Sequence, residues 1–83
     1  MKSKISKRIK QVLDKVCEHL PPENVKDAKE LLAHNEWGES LLLICTQLYE
    51  YDIIVSSSIL EEMKKLVSEM KLECKELNLI EVG

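Results

Sequence analysis

The sequence predicts an all-α protein, a compact bundle of about four helices over approximately residues 4–20, 23–34, 36–51 and 57–77. Three observations carry this. Apolar residues recur every three or four positions in four stretches, which is the spacing of a helix face. Only two Gly and two Pro occur among 83 residues, while Leu, Glu and Lys abound; that is too few turn formers for a β-sandwich. The stretch 36–51 is apolar most of the way round, as the buried central helix of a bundle is. The length suits one domain, 1–83. A domain this small buries only about 60% of the surface its unfolded chain exposes, so its stability margin is thin.

Helix 1 is expected from about Ser3 or Ser6 to Leu20. Ile5, Ile9, Val12, Leu13, Val16, Cys17 and Leu20 make its apolar stripe, with Lys4, Lys7, Arg8, Lys10 and Lys15 outward. Cations at a helix N-terminus oppose the macrodipole, so the first turn is expected to fray. Pro21-Pro22 ends the helix, because a residue before proline is pushed out of the α region. Helix 2 starts at Pro22 or Glu23, since proline suits a first helical position. It runs to His34 on a face of Val25, Ala28, Leu31 and Leu32.

Asn35 ends helix 2 and is placed to cap helix 3, with Glu36 and Glu39 in the first turn where carboxylates are favoured. Trp37, Leu41, Ile44, Cys45, Leu48 and Tyr51 share its wide apolar face, and Tyr49 lies off that line as the better candidate for exposure. Gly38 costs roughly 1 kcal/mol relative to Ala inside a helix, so close approach of a neighbouring helix, or else a backbone surface that a partner approaches, is expected there. Ile53-Ile54-Val55 reads as an extended link tucked on the core; as a lone strand it has nothing to pair with. Ser58 with Glu61 fits a capping box for helix 4, and Ser56 is the alternative cap. Ile59, Met63, Leu66, Val67, Met70, Cys74 and Leu77 form the last face. Asn78 stops it, and the apolar tail residues Leu79, Ile80 and Val82 are expected to fold back on the bundle.

Several function classes are disfavoured. No apolar run approaches the ~20 residues that span a bilayer. The basic N-terminus has no continuous apolar core behind it, unlike a signal peptide, so a cytoplasmic chain is expected. Cys17, Cys45 and Cys74 are odd in number and lack zinc spacing. They read as small core residues in a reducing compartment, a redox pair or reactive thiol being the alternative. There is no Gly-rich phosphate loop and no HExxH. Neither His19 nor His34 has a Ser or Cys partner at a recognisable spacing. No catalytic, cofactor or metal residue is therefore assigned, and the chain is not expected to be an enzyme.

Charge is the informative feature. Residues 1–16 hold six Lys or Arg against one Asp, a balance of +5; residues 17–56 hold two Lys against eight acids, a balance of −6. The null is a solvated helix face. A negative middle disfavours nucleic acid and favours a basic partner. Glu36, Glu39, Glu50 and Asp52 flank the apolar helix 3, and Glu30 stands nearby in sequence. Trp37, Tyr49 and Tyr51 are residue types common both as interface anchors and in small helical cores.

The segment from Leu31 to Ser56 carries Leu31-Leu32, His34, Glu36-Trp37-Gly38-Glu39, Leu41, Cys45, Gln47-Leu48, Tyr49-Glu50-Tyr51-Asp52-Ile53 and Ser56. In this combination it resembles immunity proteins of the MafI type, which belong to the toxin–immunity pairs of contact-dependent and polymorphic secretion systems. The match covers about a third of the chain. It departs at Ser57, where the family often has proline, and it does not extend to helix 1 or the tail. The resemblance implies a small cytosolic helical protein that binds one cognate toxin C-terminal domain in a 1:1 complex and blocks it. Toxins paired with such proteins are often nucleases, some similar to EndoU-type ribonucleases. A nuclease presents basic groups to its phosphate substrate. On this reading Glu30, Glu36, Glu39, Glu50 and Asp52 cover that basic cleft, with Trp37, Tyr49 or Tyr51 as apolar anchors. No direct nucleic-acid or membrane contact is expected. The alternative is an acidic adaptor or self-associating module, with a homodimer along helix 4 and the tail.

Overall fold

The computed structural model describes residues 3–83; Met1, Lys2 and the side chain of Ser3 lie outside the described residues, and with them Lys2's share of the basic N-terminal charge. The fold is all-α. Helices α1 (Ser3–Val16), α2 (Pro22–Ala33), α3 (Trp37–Glu50) and α4 (Ser57–Glu69) are joined by short links, with 3-10 turns at Cys17–His19 and Lys75–Leu79. The most apolar helix, α3, is the hub. It packs against α1, α2, α4 and the turn at 75–79. Leu41, Ile44, Cys45 and Leu48 bury its inner face against Ile9, Leu13 and Val16 of α1 and Met63 and Leu66 of α4. Ser40 is fully buried, and its hydroxyl donates to the Ala28 carbonyl at 2.9 Å, tying α3 to α2. Asn24 donates to Gln47 across the same pair of helices at 2.8 Å.

Three helices stop the same way. Asn35 (φ 62°), Asp52 (φ 52°) and Lys71 (φ 57°) are left-handed just past α2, α3 and α4. At each, the amide of that residue and the next amide turn back onto the last helical turn. Asn35 and Glu36 donate to the Leu32 and Leu31 carbonyls. Asp52 and Ile53 donate to those of Tyr49 and Leu48, and Lys71 and Leu72 to those of Ser68 and Val67. These paired bonds satisfy carbonyls that a helix end leaves open.

This corrects two expectations. Asn35 does not cap α3; Glu36 holds the cap position without a side-chain bond, because the left-handed turn commits Asn35 to ending α2. Helix 4 does not run to residue 77. It ends at Glu69; Cys74 packs on the core from the link that follows, and Leu77 is buried from within the 3-10 turn. The cap of α4 is Ser56, whose hydroxyl accepts from the Ile59 amide at 3.3 Å; Ser58 bonds the Ser56 hydroxyl rather than forming a capping box with Glu61. Leu60, unassigned by the periodicity, is buried.

The link after α3 does find a partner. The Val55 amide donates to the Glu81 carbonyl and the Gly83 amide to the Val55 carbonyl, both at 3.1 Å, a single parallel pairing of Val55 with Val82. Of the three tail residues expected to fold back, Ile80 is buried while Leu79 and Val82 stay exposed; Leu77, expected on helix 4, is buried from the 3-10 turn. The close neighbour of Gly38 is a residue beyond the end of α4 and not a packed helix: a Cβ there would lie 3.2 Å from a Leu72 methyl carbon.

Arg8 does not face outward alone. Its guanidinium grips Glu62 at 2.7 Å and Glu69 at 2.8 Å, clasping α1 to α4. Glu62 is half of that clasp.

Candidate partner-binding surface

The structure distributes the candidate residues over two poles of α3. Glu36, Trp37 and Glu39 stand at its N-terminal end; Tyr49, Glu50 and Asp52 stand at its C-terminal end. Fourteen residues at 1.5 Å each separate the poles by about 21 Å. Glu30, on α2, belongs to neither end. It lines a shallow groove with Asp27, Leu31, His34 and Leu43, and also the rim of a larger groove beside α1. All five acids are exposed. None of them is in an ion pair among the described residues, where both ion pairs run to Arg8. Their carboxylates are thus open to a partner.

The aromatic residues split. Trp37 is half-buried and packs against the core, with its indole N–H buried and unpartnered. Tyr51 was placed on the apolar face but is 53% exposed, and Tyr49 is 41% exposed. The helix ends at Glu50, so Tyr51 leaves the face just where periodicity would have buried it. Ile54, Leu79 and Val82 join the tyrosines as the exposed large apolar residues. Sequence reading missed Ile54 and Glu81 as surface candidates. No local signal marks them, because only the returning tail brings Glu81 to the groove of Tyr49 and Gly83 against Ile54.

A groove of about 810 Å³ lies between the end of α1 and α2. Leu20, Val25 and Ala33 give it an apolar floor, and Lys26, Lys29, Glu18 and Glu30 line it as well. Its thiol, Cys17, donates to the Asp14 carbonyl at 3.4 Å. Burial, then the neighbouring Cys74, pushes the Cys45 thiol well above its ordinary range, which keeps it protonated. Among the described residues no three His, Cys, Asp or Glu side chains are grouped to hold a metal ion. No helix among them is long and apolar enough to cross a membrane. The geometry offers open carboxylates and apolar surface for recognition.

Comparison with family models, curated proteins and solved structures finds no match for the chain.

Proposed function

We propose that this chain is a cytoplasmic immunity protein that binds a cognate secreted toxin domain, a basic nuclease of EndoU-like or related type, and covers its substrate cleft. One observation carries the reading. Glu36, Glu39, Glu50 and Asp52 bracket the central helix, all exposed and none ion-paired among the described residues. A basic cleft evolved for phosphates complements such a surface, and opposite charges speed encounter. The separation of the poles is compatible with one interface, since about 800 Å² per partner is a patch roughly 30 Å across. The motif shared with MafI-type proteins lies over this same helix and supports the reading. The second reading, an acidic adaptor or self-associating module, draws its support from the apolar groove beside α1.

The test is co-purification. The chain is expressed with the C-terminal domain encoded immediately upstream of its gene, with the tag on that domain only. Retention at one-to-one stoichiometry that weakens as salt rises is the expected result. Salt-indifferent retention moves the interface to apolar anchors, and no retention favours the adaptor reading. Charge reversal of Glu36 and Glu39 together with Glu50 and Asp52, with binding undiminished, defeats the acidic-surface mechanism.

A further inference from the structure

The five exposed large apolar residues, Tyr49, Tyr51, Ile54, Leu79 and Val82, all belong to two segments, 49–54 and 79–82. The Val55–Val82 pairing holds those segments together, and Ile54 packs against Gly83. Tyr49 and Leu79 meet in one groove there, Val82 stands exposed on the face it shares with Val55, and Ile54 lies on the other face with Gly83.

The pairing leaves an open backbone edge. Val55 turns both its amide and its carbonyl toward the tail. In a parallel pair the partner residue's own N–H and C=O point the opposite way. Those of Val82 enter no backbone hydrogen bond, and Glu81, Val82 and Gly83 are all exposed. An open edge beside apolar side chains is a template for an added strand.

The charge around it selects the occupant. Asp52 and Glu81 line one groove with Tyr49 and Leu79, no Lys or Arg lines it, and exposed Glu50 is adjacent in sequence. The groove is only about 30 Å³, far below the ~300 Å³ at which small-molecule sites begin. A second copy of this chain would bring one Asp52–Glu81 set toward another, which like charges disfavour. Anionic lipid headgroups are disfavoured for the same reason.

We propose that the exposed edge at Val82 docks an extended, cationic segment of a partner protein as an added strand, its apolar residues meeting Val82 on one face and its basic residues meeting Asp52 and Glu81 on the other. This deepens the toxin-binding reading and rests on it for the partner's identity. The surface itself is testable without the toxin.

The probe is a synthetic peptide of about ten residues, the size of a strand, alternating Lys and Val; its Glu–Val counterpart is the control. Amide shifts of the 15N-labelled protein are followed during titration. The expected result is saturable shifts at Tyr49 and at residues 81–83 with the lysine peptide and none with the control. Val82→Pro removes the open-edge donor while sparing both Val55 bonds, and is expected to weaken docking about tenfold, the worth of one hydrogen bond near the top of its range. Asp52→Asn with Glu81→Gln, Asn being suited to the left-handed backbone at 52, is expected to weaken it by at least as much. An unchanged circular dichroism spectrum shows that each variant is folded. No shift at millimolar peptide overturns the proposal. So do equal shifts with both peptides, or shifts confined to the Glu36–Glu39 pole. A docked lysine peptide with no toxin retention leaves the strand edge standing and removes the toxin reading. Toxin retained at full affinity by the Val82→Pro and Asp52→Asn/Glu81→Gln proteins does the reverse.

Discussion

Trp37 shows how one residue can be read two ways from sequence and one way from structure. As a Trp beside two acids it is a natural interface anchor. In the folded chain it lies half-buried against the core, and its indole N–H is enclosed without an acceptor. An unmet buried donor costs about 1–3 kcal/mol. Replacement by a flat ring without that donor keeps most of the packing and removes the penalty. Trp37→Phe is therefore expected to change stability by no more than about 1 kcal/mol in either direction. Trp37→Ala should cost about 3–5 kcal/mol through the cavity it leaves. Urea denaturation of both variants measures this; a loss as large for Phe as for Ala would mean the N–H has a partner after all. The neighbouring candidates were legible only in part. The acids at 36, 39, 50 and 52 are exposed, as their type predicts. The exposure of Tyr51 was not, because a seven-residue repeat cannot show that the helix stops one residue earlier.

At the scale of elements, the existence and order of four helices followed from periodicity, and the ends did not. The first helix was expected to reach Leu20 but gives way to a 3-10 turn after Val16, and the larger miss is the end of α4. Its apolar repeat continues through Met70, Cys74 and Leu77 with no Gly or Pro to interrupt it, yet the helix stops at Glu69 because Lys71 takes a left-handed backbone. The stop is favoured from outside the helix. Leu72 turns back to lie against Gly38 at the start of α3, and Leu77 fills the core from the following turn. Tertiary packing thus outweighs the roughly 1–2 kcal/mol that a side chain costs in that conformation. Glycine carries no such cost, although it loses more entropy on folding. Lys71→Gly is expected to stabilise the protein by about 0.5–1 kcal/mol, read as a higher urea midpoint at unchanged slope. A lower midpoint would show that the α4 end is not strained there. The Val55–Val82 pairing was hidden for a different reason: a strand that pairs only with a distant tail leaves no local pattern.

At the scale of the molecule, charge is used in two ways. The acids around α3 are left open, while the one arginine in the sequence is engaged. Arg8 holds Glu62 and Glu69 across the α1–α4 seam, where the larger lysine population of α1 makes no ion pair among the described residues. A planar guanidinium can satisfy two carboxylates at once, which an ammonium does less well. The bond to Arg8 holds the Glu69 carboxyl below its ordinary 4.5. A carboxyl lowered on folding stabilises the native state above its unfolded value, and that contribution fades as pH falls through the folded value. Arg8→Met removes the clasp at every pH. The urea midpoints of wild type and variant should therefore differ most near neutral pH, and the gap should narrow as acidification passes below the ordinary carboxyl range. High salt at neutral pH should narrow the gap as well, since the pairs are partly exposed. A gap that stays constant from neutral to acid would assign the role of Arg8 to the packing of its aliphatic stem instead.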